Sequence, residues 1–170
     1  MTISRFYWLI EGVLAGCSCP GISSGRDGAP SNRIAHDPQL LDDDLNWLHE
    51  RGIRAVLSLT ETPLAEGALA RHGLAGLHIP VNDLTAPAPE QLDHALAFID
   101  QHVRAGGAVA VHCLMGQGRT GTVLAAYRIR AGRAVPDALA ELRAICPGAV
   151  SSPEQERALH AFARRRDWIV

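Results

Sequence analysis

Apolar and polar positions fall in blocks along this chain, and the period of each block names the element it predicts. In "PQLLDDDLNWLHER", residues 38–51, Leu40, Leu41, Leu45 and Leu48 recur at helical spacing, and Gly52 is a plausible stop. "IRAVLSL", 53–59, is a continuous apolar run of strand length and reads as a buried strand. A short helix is expected near 63–72, ending before Gly73, and a second strand, "LAGLHIPV", runs to Val81. "NDLTAPAP" is a loop by its Pro and Asp content. Leu92, Leu96, Ile99 and Val103 share one face of a helix over about 89–105. "GAVAVHC" is apolar on both faces, as a central parallel strand should be. After Thr120 the pattern is helical in three segments, near 120–131, 136–145 and 153–167. "FYWLIEGVLAG" reads as a strand pair, and "SCPGISSGRDGAPSN", 18–32, as a polar surface loop. Strands alternating with helices predict an α/β fold, a single domain over residues 1–170. Its mostly parallel central sheet is flanked by helices, and its C-terminal part is helical.

Composition narrows the function. A chain of 170 residues with 47% hydrophobic and 20% charged positions buries a sizeable core without staples. Its net charge of -2 supplies no global field for nucleic acid or an anionic membrane, and neither is expected as a partner. Cys17, Cys19, Cys113 and Cys146 match neither a zinc spacing nor the disulfide framework of a small secreted domain. Free thiols suit a reducing cytoplasm. One feature points elsewhere: Leu14-Ala15-Gly16-Cys17, after the apolar "FYWLI", resembles the lipobox of bacterial lipoproteins. Glu11 interrupts that run and Arg5 is the sole positive charge before it, so the strand pair is preferred. Asp42, Asp43 and Asp44 read as the exposed face of a helix. Arg164, Arg165 and Arg166 fall in the last turns of the final one.

The chemistry concentrates in "VAVHCLMGQGRTG", residues 109–121. From Gly116 it spells G-Q-G-R-T-G, the glycine fingerprint of a dinucleotide fold. That fold needs further strands and an acidic residue at the end of the second one. Glu141 lies at a suitable distance but inside the helical pattern "PDALAELRAI", so the context fails. From Cys113 the same stretch spells cysteine, five residues, arginine. A loop leaving a central strand and entering a helix points successive amides into one space. Gly116 and Gly118 let the backbone curl. The amides and helix N-terminus favour a thiolate at Cys113, and Arg119 offers a planar fork of donors. Together they suit a tetrahedral dianion whose phosphorus is attacked by sulfur. A small buried hydrophobe at a strand end is the bland alternative for Cys113.

"VHCLMGQGRTGT" closely resembles the signature loop of the cysteine-dependent protein tyrosine and dual-specificity phosphatases. "FYWLIEGVLAG", "GIRAVLSLTE", "IPVNDLTAPAPEQLDHAL", "AAYRIRAGRAVPDALAELRAICPGAV" and "SPEQERAL" look like successive segments of small atypical dual-specificity phosphatases. The resemblance implies a phosphatase II-like fold and hydrolysis through a phosphocysteine. It makes Cys113 the nucleophile and Arg119 the phosphate clamp, with Thr120 donating to the leaving thiolate. Leu114, Met115, Gly116, Gln117 and Gly118 complete the phosphate loop, and His112 hydrogen-bonds around it. Asp83, in a loop at the carboxyl end of a strand, matches the family's general acid in "IPVND". Asn82 and Asp83 also suit a solvated turn. Asp93 and Asp100 fall on a helix and read as surface charges. Gln155 matches a position that orients water, and Ser151 stands where tyrosine-specific members place their glutamine.

The implied substrate is phosphotyrosine, with phosphoserine or phosphothreonine beside it, in a phosphorylated protein. A small phosphomonoester, an RNA 5′ end, or a non-catalytic phosphate-binding module are the alternatives. Leu114, Met115 and Gln117 carry no charge, which disfavours a polyanionic lipid. No metal and no cofactor is implied, and oligomeric state is left open.

Overall fold

Residues 3–22 and 36–165 are described by this computed structural model, and the expected alternation runs through them. Strands β1 (Phe6–Ile10) and β2 (Leu14–Cys17) form a hairpin turning through Gly12 at φ +70°. Then follow α1 (Pro38–Glu50), β3 (Ile53–Ser58), α2 (Ala68–Arg71), β4 (Ala75–His78), α3 (Pro89–Arg104) and β5 (Ala108–His112). Three helices close the described chain: α4 (Gly118–Arg130), α5 (Val135–Ile145) and α6 (Pro153–Arg164). Proline opens α1, α3 and α6 within their first turn, where its missing N–H costs nothing. Asp37 caps α1 by accepting from the amides of Gln39 and Leu40 at 2.9 and 3.2 Å.

The sheet runs in the order β1-β2-β5-β3-β4, and only β1 is antiparallel to its neighbour. β5 therefore lies at the centre, and all five of its residues are buried. One core layer joins the sheet to α3, α4, α5 and α6 through Leu92, Leu96, Val123, Leu142, Leu159 and Phe162. The other joins it to α1 and α2 through Leu41, Leu45, Leu48 and Ala68. Both faces of the sheet are thus covered, and the carboxyl ends of β3 and β5 meet at one edge.

Several expectations need correction. The helix expected near 63–72 is only Ala68–Arg71, because Gly67 before it takes φ +72°. β4 ends as a regular strand at His78, but the amides of Ile79 and Val81 still reach the Ser58 and Leu59 carbonyls, and Pro80 between them, on the edge strand, removes no bond to β3. Leu40 is only half buried, and α6 ends at Arg164. Asp44 is not on an exposed face. It is fully buried and accepts from the Gly21 amide at 2.9 Å, tying the segment after β2 to α1. The run at 18–32 is no surface loop over its first four residues, which are buried. Their polar groups have partners there: Ser18 Oγ accepts from the amides of Ser4 and Arg5. Residues 23–32 and Arg166 lie outside the described residues.

Candidate active site

The loop between β5 and α4 is shaped by what holds its carbonyls. Nδ1–H of His112 donates to the Cys113 carbonyl at 3.1 Å. The Cys19 amide takes the Leu114 carbonyl at 3.0 Å, and the Arg5 guanidinium takes that of Met115 at 2.6 Å. The Tyr7 hydroxyl donates to Gly116 O at 2.8 Å. Amides of Gly121 and Val150 converge on Gln117 O at 2.9 and 3.2 Å. Five consecutive carbonyls are thus pulled outward. In a trans peptide the N–H of the next residue points the opposite way, so the amides of Leu114 to Gly118 turn toward the loop's interior. Among the described residues those amides donate to nothing else.

Glycine is required at one point of the curl, and at a second it leaves room for side chains of the α6 start. Gly116 sits at φ +71°, and a Cβ there would lie 2.5 Å from the Cys17 carbonyl. A Cβ on Gly118 would lie 2.3 Å from Ser151 Oγ. Val150 pays for its hold on Gln117 with φ 56°, an unusual conformation for a β-branched residue; Arg143 fixes it by donating to the Val150 carbonyl at 3.1 Å.

Cys113 stands at the floor of this loop, 3% exposed, and Arg119 closes it, 2% exposed. The Arg119 guanidinium donates to the Val81 carbonyl at 2.8 Å and to Glu61 Oε2 at 3.0 Å, and approaches Asp83 Oδ1 at 3.4 Å. Glu61 Oε1 accepts from the Asp83 amide at 2.9 Å. One carboxylate therefore bridges the arginine and the loop carrying Asp83. Burial pushes the Glu61 carboxyl up, but its own amide, Arg119 and the Asp83 amide together hold it below the usual carboxylate range. Asp83 is open to solvent, its side chain 64% exposed.

The remaining expected residues gather around this centre. His112 is fully buried, and burial depresses it to about 4, so the ring is neutral near pH 7. Its partners fix the tautomer: a carbonyl only accepts, so Nδ1 carries the proton and Nε2 accepts from Ser58 Oγ at 2.7 Å. Thr120 Oγ1 is buried without a hydrogen-bond partner. Gln155 is fully buried; its Oε1 accepts from the Ser151 and Ser152 amides and its Nε2 donates to the Thr85 carbonyl at 3.1 Å. It thereby links the Asp83 loop to the start of α6, and Ser152 Oγ adds a bond to the Leu84 carbonyl at 2.7 Å. Asp93 and Asp100 are engaged elsewhere, by Arg165 and Arg130.

Glu61, Tyr7 and Arg5 escaped the sequence reading. Glu61 did leave a trace, an acidic residue just past a buried strand on the sheet edge that carries Cys113. Tyr7 and Arg5 left none, because their partners lie more than a hundred residues away. Among the described residues no group of three or more His, Cys, Asp or Glu side chains is placed to hold a metal ion. Nor is any helix there long and apolar enough to cross a membrane.

The family described as "Polymorphic toxin system, DSP-PTPase phosphatase" matches residues 34–133. Among solved structures, Tk-PTP in the active form superimposes with a TM-score of 0.76 at 30% identity, covering 95% of this chain and 98% of that one. Tyrosine-protein phosphatase cdc-14 of Caenorhabditis elegans is 28% identical over 152 residues, 88% of this chain and 20% of that protein. Phosphatidylglycerophosphate phosphatase PTPMT2 of Arabidopsis thaliana is 29% identical over 126 residues, 71% of this chain and 55% of that protein. The chain spans between 20% and 60% of the length of the first curated relatives it matches.

Proposed function

Because the chain belongs to the DSP-PTPase phosphatase family, as a small atypical dual-specificity phosphatase of the protein tyrosine phosphatase superfamily, we propose that it hydrolyses phosphotyrosine in proteins through a phosphocysteine at Cys113. Phosphoserine and phosphothreonine are further substrates of the same pocket. The observation that carries this reading is the loop itself: five carbonyls held outward, five amides turned inward, a buried sulfur below and a buried guanidinium beside them.

In this mechanism the amides of residues 114–118 and the Arg119 fork bind the phosphate's equatorial oxygens. They tighten as charge spreads over those oxygens in the transition state. Cys113 sulfur attacks phosphorus in line, and the bond to the leaving oxygen breaks. Asp83, in its acid form, gives that oxygen a proton. Water then attacks the phosphocysteine while Asp83 takes its proton, the P–S bond breaks, and phosphate leaves. The unpartnered hydroxyl of Thr120 receives the departing thiolate with a hydrogen bond, and Gln155 orders the loops between which the water enters. Glu61 keeps Arg119 and the Asp83 loop in register.

A lipid phosphomonoester is the second reading, favoured by the relative named a phosphatidylglycerophosphate phosphatase. Uncharged Leu114, Met115 and Gln117 at the loop favour one phosphate over several. A Cys113→Ser substrate trap separates these readings on a panel of phosphopeptides and phospholipid vesicles, beside turnover of p-nitrophenyl phosphate by the unaltered protein. Cys113→Ser should abolish turnover and still bind oxyanions, because the amides and Arg119 remain. Near-normal turnover in that variant would sink the thiolate mechanism. Retention of vesicles but not phosphopeptides would move the assignment to the lipid.

A further inference from the structure

The two carbonyls at the outer bend of the phosphate loop are held by side chains from one short stretch before the family-matched segment. Arg5 and Tyr7 are two residues apart, so at strand spacing they project to the same side. Arg5 Nη1 donates to Met115 O at 2.6 Å, and Tyr7 Oη donates to Gly116 O at 2.8 Å. The second bond is buried and prepared by the sheet. Tyr7 pairs with Gly16 across the β1–β2 ladder, and a Cβ at Gly16 would lie 2.4 Å from the tyrosine ring. Only glycine there lets the ring lie across β2 and reach the loop. Gly116 in turn packs against the backbone of Cys17 and Ser18. Burial holds the Tyr7 phenol protonated, so the hydroxyl stays a donor.

We infer that Tyr7 and Arg5 are positioning residues for phosphate, aiming the Gln117 and Gly116 amides through the peptide planes whose carbonyls they hold. The consequence follows from planarity. The peptide between Gly116 and Gln117 can turn its N–H away from the ligand only by swinging the Gly116 carbonyl off Tyr7. The same coupling links Arg5, through Met115 O, to the Gly116 N–H. Gly116, at φ +71° and without a side chain, has freedom to rotate both flanking peptides, so outside donors are needed to fix them. The hairpin is thus the outer wall of the oxyanion site, acting through the loop without touching substrate. This inference rests on the phosphatase reading.

The test compares Tyr7→Phe, Arg5→Met and Arg5→Lys with the unaltered protein, using p-nitrophenyl phosphate turnover, vanadate affinity and amide NMR shifts on adding inorganic phosphate. Losing a whole oxyanion donor costs about 10²- to 10³-fold. A donor merely left loose should cost about tenfold in kcat and in vanadate affinity, with KM moved less. Tyr7→Phe should blunt the phosphate-induced shift at Gln117, and Arg5→Met the shift at Gly116. Arg5→Lys, which keeps charge and a donor, should restore most of the loss. Leu9→Ala, in the core on the same strand, is the stability control; it should lower the melting temperature more than Tyr7→Phe yet spare vanadate affinity. Unchanged affinity in both Tyr7→Phe and Arg5→Met, or losses that merely track melting temperature, would overturn the inference. A wild-type protein that neither turns over the ester nor binds vanadate would overturn the phosphatase reading, and this inference with it.

Discussion

The phosphate loop and the Asp83 loop face each other across the Arg119 guanidinium and are built on opposite principles. In the first, Cys113 and Arg119 are almost wholly buried, and every carbonyl from Cys113 to Gln117 has a named donor. In the second, Asp83 is exposed and Leu84, itself exposed, takes φ 63°. That loop is closed by its own turn bonds, Leu84 N to Asp83 Oδ1 and Thr85 to Asn82 O, and tied to its surroundings by side chains: Glu61 on the Asp83 amide, Gln155 on Thr85 O, Ser152 on Leu84 O and Glu154 on the Ala86 amide. The difference follows the work assigned to each. Electrostatic stabilisation needs dipoles fixed before the reaction. A proton donor instead has to reach leaving groups of different size, then serve water. Fixing one loop while leaving the other accessible is what the proposed division of labour between them requires.

The largest break in this contrast should come from Gly116→Ala. Its Cβ would lie 2.5 Å from Cys17 backbone atoms, and its φ of +71° disfavours alanine even without the clash. All three of the nearest atoms are backbone of the Cys17–Ser18 peptide, so there is no flexible tip to move aside. Vanadate binding and turnover of every substrate should fall beneath detection, with a melting temperature several degrees lower. A Gly116→Ala protein with near-normal vanadate affinity would show that the loop is not as over-determined as its hydrogen bonds imply.

Asp83→Asn should produce a smaller effect that depends on the substrate. General acid catalysis is worth about 10²- to 10⁴-fold, and phosphoserine, phosphothreonine and phosphotyrosine peptides should slow by about that much. An activated aryl phosphate leaves well as an anion and should lose much less. Vanadate affinity should hardly change, since the amides stay in place. Asp93→Asn is the control: its carboxylate pairs with Arg165, away from Cys113 and Arg119, so its loss should leave turnover of both substrate classes unchanged. Equal slowing of activated and unactivated substrates would mean that Asp83 positions its loop and donates no proton.

The same contrast explains what the sequence disclosed. Elements were legible wherever burial set a period or proline and glycine punctuated it, as at Pro38, Pro89 and Pro153. The cysteine loop was legible because Gly116, Gly118 and Arg119 stand together between a strand and a helix. The supports of that loop were not. Glu61 meets Arg119 from 58 positions away, and Tyr7 reaches Gly116 across 109; such pairs leave no local pattern. Asp44 was misread for a related reason. In a run of three aspartates nothing local separates the one that turns inward to cap a buried amide from the two that do not.

Acid should separate the two loops by a subtler route, through His112. Its ring is neutral in the folded protein because burial takes it from an ordinary 6.5 down to about 4. The unfolded chain binds a proton at this position near pH 6.5, and the folded chain does not until about pH 4. Stability therefore falls as pH drops between those values, by roughly 3 kcal/mol in all, and this group contributes no further change below them. Glu61 and Asp42, both held low, give up their contributions only in and below the carboxylate range, so the interval above about pH 5 is clear of those two carboxylates, and substitution separates His112 from the chain's other histidines. Urea midpoints measured from pH 7 to 5 should decline, and the decline should flatten in His112→Gln, which cannot titrate but retains an N–H for the Cys113 carbonyl. At pH 7 that variant should keep part of its vanadate affinity, because one outward carbonyl is still held. An undiminished decline in His112→Gln would place the acid sensitivity in other groups. The phosphate loop would then owe nothing to the neutrality of the histidine that braces it.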